Sequence, residues 1–317
     1  MPHHTAGRYR PVEMASAASA GVRGQPLQAP YSAGTQPPQV ALPWGAADCH
    51  HHVFDPRYPE RQGLHPLPQA YRTTPPDVAA YRLFQRRLGL TRSVIVAPSN
   101  YGNDNSLLVD ALGEIGQEHA RGVAIVAFDA GRAELDRLHQ AGVRGVRVYL
   151  AKGRAPSEEQ LISLGRQLEP RGWHLQLVGS RDEEVFAKWE AALAEVPCRV
   201  VIDHFGYVPQ PGGTESATAA VLRRLLDAGK TYVKLSGVYI QSRTGYPSYA
   251  DMDELAMTLI RQAPERLVWG SDWPHVGALA QKPDGAGLVD QLTRWTASEA
   301  VRRLILVENP DRLYWDA

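Results

Sequence analysis

Cysteine is nearly missing from this chain: Cys49 and Cys198 are the only two among 317 residues, and neither belongs to a CxxC pair. That spacing excludes a zinc knuckle and a disulfide framework, and makes a reducing, cytoplasmic setting the expectation. Net charge is missing too. The 34 basic residues balance 34 acidic ones, so the formal charge is zero, and the electrostatic footprint of a nucleic-acid binder is absent. No apolar run approaches the ~20 residues that span a bilayer, so neither nucleic acid nor membrane is expected as a partner. "ASAASAGV" is too short and too weakly apolar for the core of a secretory signal. Nor does a glycine-rich phosphate loop follow the first apolar run, where "HHHVFDPRYPE" stands instead.

What is present reads as a globular core behind a poorer leader. Hydrophobic residues make up 44% of the chain, ordinary for a folded protein. Residues 1–41 are rich in Ala, Gly, Pro, Ser and Gln, cannot bury enough apolar surface to offset their ordering entropy, and are expected to form a flexible or surface-draped arm. The stretch before Met14 is compatible with an upstream start. From residue 42 to 317 a single barrel domain is expected. Short β-branched or apolar runs at 46–50, 92–97, 122–128, 143–150, 173–178, 199–203, 231–236 and 266–270 alternate with stretches of helical period. Among the latter, "PPDVAAYRLFQRRLG" opens on proline and closes on glycine, and "DNSLLVDALGEIGQEH" opens on an Asp/Asn cap. A last helix pair is placed at 284–304. Eight such alternations predict a distorted (β/α)8 barrel rather than an open doubly wound sheet.

In a barrel the chemistry lies at the C-terminal ends of the strands, and the polar residues gather there. "DCHHHVFDP" at 48–56 ends the first strand on three histidines. Side chains alternate along a strand, so His50 and His52 are expected to face the barrel mouth and His51 the helices. Strand 6 ends in Asp203-His204, and strand 8 in "GSDWPH", which supplies Asp272 and His275. Each histidine alone is better read as a hydrogen-bonded structural residue, and a helix N-cap is the alternative reading of Asp272. Together they make an acid–base or metal-binding set. Arg147 interrupts the apolar run "VRGVRVYL"; a charge buried there needs a carboxylate partner or an anionic substrate. Tyr149 shares its face, and Arg144 is expected on the outside.

Seven stretches, "DCHHHVFDP", "SNYGNDN", "GVRGVRVYL", "GWHLQL", "VIDHFG", "KLSGVY" and "APERLVWGSDWPH", follow one another in the order and spacing of the amidohydrolase-2 family. Over about residues 42–315 the chain resembles its 2-pyrone-4,6-dicarboxylate lactonase-like branch, which also includes galactarolactone isomerase. The resemblance implies hydrolysis of a small carboxylated lactone. Asp272 would be the general base toward water, His50, His52 and His204 would polarise the carbonyl or move protons, and His275 would orient an oxygen. Ser99 would touch substrate and Arg147 would hold its carboxylate. Tyr149 and Gln176 line the expected mouth beside them. The chain departs from the family where Tyr149 replaces an asparagine, where Ile240 replaces an arginine and leaves Arg243 as its substitute, and in "LAKGR", where Lys152 or Arg154 would supply the second basic residue that relatives carry past the strand-4 arginine. A mono-acid or sugar lactone is therefore as plausible a substrate as the pyrone dicarboxylate.

The lactonase branch implies no required metal. The alternative is one zinc ion held by His50, His52, His204 and Asp272; no lysine ends strand 4 to form a bridging carbamate. Rival functions are a zinc-dependent decarboxylase of an aromatic or unsaturated acid, a lactone isomerase, and a small-acid binder without turnover. Oligomeric state is left open.

Overall fold

The computed structural model describes residues 21–62, 64, 66–150, 155–182, 184–278, 280–296 and 298–316. Eight strands form one sheet in chain order: β1 (Ala47–His51), β2 (Arg92–Val96), β3 (Ala120–Ala124), β4 (Val143–Tyr149), β5 (His174–Val178), β6 (Arg199–Ile202), β7 (Thr231–Leu235) and β8 (Leu267–Trp269). Every neighbouring pair is parallel. The helices are α1 (Gln69–Thr73), α2 (Val78–Leu88), α3 (Ser106–Ile115), α4 (Arg132–Gln140), α5 (Glu158–Leu168), α6 (Val185–Glu195), α7 (Ala217–Asp227), α8 (Val238–Gln241), α9 (Asp253–Gln262), α10 (Gly285–Trp295) and α11 (Glu299–Arg303). This is the (β/α)8 barrel expected from the alternation, and none of its described helices is long and apolar enough to cross a membrane.

Closure is where the barrel departs from regularity. The last turn of the barrel is made not by a β8–β1 ladder but by the segment after β8. The Asp272 N–H donates to the His50 carbonyl at 2.7 Å, and the His52 N–H donates to the Trp273 carbonyl at 2.8 Å. Gly270 permits the approach, because a Cβ there would stand 2.6 Å from that of His50. The strand-8 motif is thereby stitched between the two strand-1 histidines.

Two apolar cores result. The larger fills the space between strands and helices. The smaller joins Ala47, Cys49, Val94, Val96, Val123, Val201, Tyr232 and Val268 from six strands, with Leu313 and Tyr314 of the C-terminal segment. Strands on opposite sides of a closed sheet meet only in its interior, so this cluster fills the barrel and the chain end plugs it. Ala47 and Cys49 point inward, which on strict alternation would aim His51 inward as well. The β1–β2 register slips between Asp48 and His51, and that irregularity turns His50 and His52 into the barrel instead.

Strand β3 ends earlier than the apolar run 122–128 predicts. The Asn105 amide takes over the ladder, accepting from the Ile125 N–H and donating to the Ile125 carbonyl. Residues 21–41 lie against the barrel. Val22 bridges Leu42, the Ser32 hydroxyl accepts from Arg87 of α2 and from the Gly285 N–H of α10, and the Pro30 carbonyl accepts from the Trp273 indole.

Candidate active site

Two loops deliver the polar residues in backbone conformations that non-glycine residues rarely adopt. His204, Asp272 and His275 have φ of 51°, 58° and 58°, in the left-handed region that costs a side chain of order 1 kcal/mol. Such conformations persist only where the surroundings impose them. Here the β6 and β8 ends must turn sharply to aim a side chain back over the strands. Gly237, after β7, has no Cβ to collide with the His204 ring, which would lie 2.7 Å away.

The ring nitrogens converge. His50 Nε2 and His52 Nε2 are 3.3 Å apart, and each lies 3.6 Å from Asp272 Oδ1; His204 Nε2 lies 4.0 Å from the same oxygen. Each ring is also held from behind. His52 Nδ1 bonds the Val96 carbonyl at 2.7 Å, and His204 Nδ1 bonds the Ser236 hydroxyl at 2.9 Å. His50 Nδ1 faces Lys234 Nζ at 3.3 Å and Asp203 Oδ1 at 3.2 Å. The other Asp272 oxygen accepts from the Tyr239 phenol.

Beneath this cluster lies a second polar layer. Lys234, in mid-β7 and without exposure, donates to the Cys49 carbonyl at 2.8 Å and to Gln176 Oε1 at 2.6 Å. The Gln176 amide N–H donates to Asp203 Oδ2 at 3.1 Å, and an Arg147 terminal nitrogen lies 3.4 Å from the same oxygen. Burial alone would raise the Asp203 carboxyl, but His50, Lys234 and Arg147 outweigh it and hold it well below the usual range. Burial likewise works against ionised Asp272, yet His204, His50, His52 and the Tyr239 hydrogen bond bring it to about 2. Burial, reinforced by Arg147, pushes the His52 imidazole down to about 4, and burial holds His50 well below its ordinary value. The resting site therefore pairs ionised carboxylates with neutral His50 and His52.

The sequence of residues 47–315 matches the amidohydrolase family. This chain is a member of that family. It is 34% identical to the 4-sulfomuconolactone hydrolase of Rhizobium radiobacter over 303 residues, covering 91% of this chain and 96% of that one. It is 32% identical to the 2-pyrone-4,6-dicarboxylate hydrolase of Comamonas testosteroni, over 90% and 95% of the two chains. The D-galactarolactone isomerase of Agrobacterium fabrum is 31% identical over 87% and 93%. Among solved structures, an Agrobacterium tumefaciens protein in its apo form superimposes with a TM-score of 0.78 at 30% identity, over 88% of this chain and 98% of that one.

Within this amidohydrolase, the structure assembles His50, His52, His204 and Asp272 in one place and sets Arg147 below them. Tyr149, half-buried, lies under the Arg147 guanidinium at 5.2 Å. Ser99 opens the turn after β2, half-buried at the same end of the barrel. Three other residues are placed differently. Gln176 is fully buried, with its amide bonded at both ends. His275 is fully buried, edge-on to Phe84 and Tyr239, with neither ring nitrogen hydrogen-bonded. The Arg243 side chain is exposed on the loop after α8, its backbone N–H bound to Asp251. Lys152 and Arg154 lie outside the described residues. His51 stacks on Tyr81 of α2 at 3.5 Å, away from the mouth as expected, and Arg144 bonds the His139 and Val143 carbonyls. Lys234 and Tyr239 were not assigned a role from sequence. Lys234 carried the same signal as Arg147, a lone charge inside an apolar strand.

The residues also fit one zinc ion. Tetrahedral bonds of about 2.0–2.1 Å place ligand atoms about 3.3–3.4 Å apart, close to the spacings found between His50, His52 and Asp272. The Nδ1 partners are of the kind that orient metal-binding imidazoles.

Proposed function

We propose that this protein opens a small lactone bearing an anionic substituent, by attack of water assisted by Asp272. The observation that carries the reading is the juxtaposition of an ionised, low-pKa carboxylate, three imidazoles and a buried arginine with free donors. Arg147 makes no side-chain hydrogen bond among the described residues; its guanidinium has only the 3.4 Å ion pair with Asp203 and the Tyr149 ring. It is left to receive an acid group, and a guanidinium suits a carboxylate or sulfonate equally. The named relatives act on a pyrone dicarboxylate and a sulfomuconolactone, and a carboxylated lactone is the substrate class proposed here.

With the acid group on Arg147, the ester carbonyl lies over the histidines. Asp272 Oδ1 takes a proton from water as its oxygen bonds to the carbonyl carbon. The oxyanion accepts hydrogen bonds from an imidazole N–H while the ring C–O bond breaks. The proton held by Asp272 passes to the departing ring oxygen, giving a ring-opened hydroxy acid. General-base assistance contributes typically 10²–10⁴-fold and each oxyanion donor about 10²–10³-fold.

The reaction as proposed requires no metal. Asp203 is compensated by Lys234 and Arg147, and Asp272 lies among imidazoles, of which burial holds His50 and His52 neutral. In the alternative, His50, His52, His204 and Asp272 would hold one zinc ion, which would supply Lewis-acid polarisation of the carbonyl. The reading is tested by turnover of a panel of anionic lactones in ¹⁸O-water. One label in the product carboxylate supports hydrolysis; unlabelled, ring-shifted product would make the protein an isomerase, and binding without turnover would make it a receptor for small acids.

A further inference from the structure

We infer that Tyr31 is a positioning residue, a strut from the segment before β1 that holds the two sides of the active-site mouth together. Its backbone adopts φ of 59°, the left-handed conformation shared by His204, Asp272 and His275, and a tyrosine persists there only where its surroundings impose it. The foot of the strut is fixed. Fully buried Arg87 of α2 donates to the Ser32 hydroxyl and to the Gly34 carbonyl.

On one side the Tyr31 hydroxyl donates to the Thr74 carbonyl at the end of α1, with the Ala70 carbonyl at 3.3 Å. Carbonyls at a helix end lack partners within the helix, and five residues are too few for a helix to persist unaided. No side chain caps the start of α1 either, so ties of this kind hold it. Its buried residue, Tyr71, stands edge-on to the Tyr31 ring at 5.0 Å and packs on Phe54 at 5.0 Å, and Phe54 meets the His52 ring at 6.1 Å. On the other side the Tyr31 ring is edge-on to Trp273 at 6.1 Å, and the Trp273 indole N–H donates to the Pro30 carbonyl at 2.9 Å. Trp273 follows Asp272, and its carbonyl receives the His52 N–H. Lys282 lies over the Tyr31 ring at 5.8 Å while donating to the Pro274 and His275 carbonyls at 3.0 and 2.8 Å. The hydroxyl therefore fixes α1, and the ring fixes the segment that carries Asp272.

Only the kinetic consequence rests on the hydrolytic reading, so the full-length protein is tested in two ways. The first is backbone hydrogen exchange without substrate, read by mass spectrometry in wild type, Tyr31→Phe and Tyr31→Ala. Tyr31→Phe keeps the ring and is expected to speed exchange in residues 69–74 about 2–10-fold, the weight of one neutral hydrogen bond, with residues 271–275 unchanged. Tyr31→Ala is expected to speed exchange in both segments. Unchanged exchange at 69–74 in Tyr31→Phe, or at 271–275 in Tyr31→Ala, would overturn the inference, and so would equal acceleration throughout the barrel. The second is steady-state kinetics on a hydrolysed lactone, with kcat taken per folded molecule. Tyr31→Ala should lower kcat about 10–100-fold, as small displacements of reacting groups do, and Tyr31→Phe should keep it within about twofold of wild type. An undiminished kcat in Tyr31→Ala, or the same loss in both variants, would overturn the positioning role. Should Tyr31→Ala not fold, Tyr31→Leu, which fills part of the ring's volume without its edge contacts, is judged by the same criteria. If no lactone is hydrolysed at all, the function proposed above fails, while the exchange result still decides whether Tyr31 holds both segments.

Discussion

The Tyr239 phenol donates to Asp272 Oδ2, leaving Oδ1 as the oxygen near which His50, His52 and His204 gather. A carboxylate free to rotate would present either oxygen to water; this one is clamped. Hydrogen bonds to charged groups contribute about 1.5–3 kcal/mol. Tyr239→Phe is therefore expected to lower kcat by about 10–100-fold with little change in KM. Steady-state kinetics on a hydrolysed lactone check it, and undiminished kcat would show that the clamp is irrelevant to turnover.

Asp272→Asn removes the base while keeping the shape and the Tyr239 contact. The backbone stitching of this segment uses the Asp272 N–H, not its side chain, so the fold should persist. The expected loss in kcat is about 10²–10⁴-fold, read alongside an unchanged circular dichroism spectrum. Near-wild-type turnover would remove Asp272 from the mechanism.

Arg147→Met should act on binding rather than on the chemical step. The guanidinium's nearest carboxylate, Asp203, stays engaged by Gln176 and Lys234. KM for a carboxylated lactone is expected to rise about 10–100-fold, again from the 1.5–3 kcal/mol of a charged hydrogen bond, while an uncharged lactone should lose little. Arg147→Lys should recover only part of the loss, since a point ammonium cannot make the forked contact. Equal losses on charged and neutral lactones would contradict the assignment.

Chelation separates the two readings of the histidine cluster. Dialysis of the purified protein against a strong chelator is expected to leave kcat/KM unchanged, with elemental analysis finding zinc well below one equivalent. Activity lost to chelator and restored by zinc would transfer His50, His52, His204 and Asp272 from acid–base work to metal binding.

Most of this site was legible because its residues break local patterns. Arg147 stood out as a charge in an apolar strand, and three consecutive histidines cannot all point one way. Alternation placed His50 and His52 correctly, though through a register slip in β1 that no sequence pattern announces. Lys234 was equally conspicuous in "TYVKLS" by the criterion that picked out Arg147. Tyr239, by contrast, reaches Asp272 from α8, a single turn that starts at the left-handed Gly237. Gln176 and His275 have the right residue types at the right strand ends, but their neighbours enclose them. Side-chain depth is decided by packing between strands distant in sequence, and the early end of β3 similarly depends on an asparagine twenty residues upstream.

Acid should destabilise this protein well above the range in which carboxylates titrate. Burial first of all pushes His52 to about 4 and His174 and His275 to about 3, and holds His50 and His51 well below the ordinary value. In the unfolded chain each imidazole takes up a proton near pH ~6.5. Between ~6.5 and the folded values the unfolded state thus binds more protons, and stability falls as pH falls. Each such group contributes up to about 1.4 kcal/mol per pH unit across that window. Asp48 opposes them: burial raises it to about 6 despite hydrogen bonds from Ser271, His50 and Tyr81, so its folded form gains a proton first and stability rises slightly on acidification. Five imidazoles against one carboxyl leave the balance with the imidazoles. Thermal melts should show Tm steady from pH 7 to 8 and dropping steeply between pH 6 and 4.5, whereas a Tm flat down to pH 4.5 would mean that these rings are not held neutral in the fold.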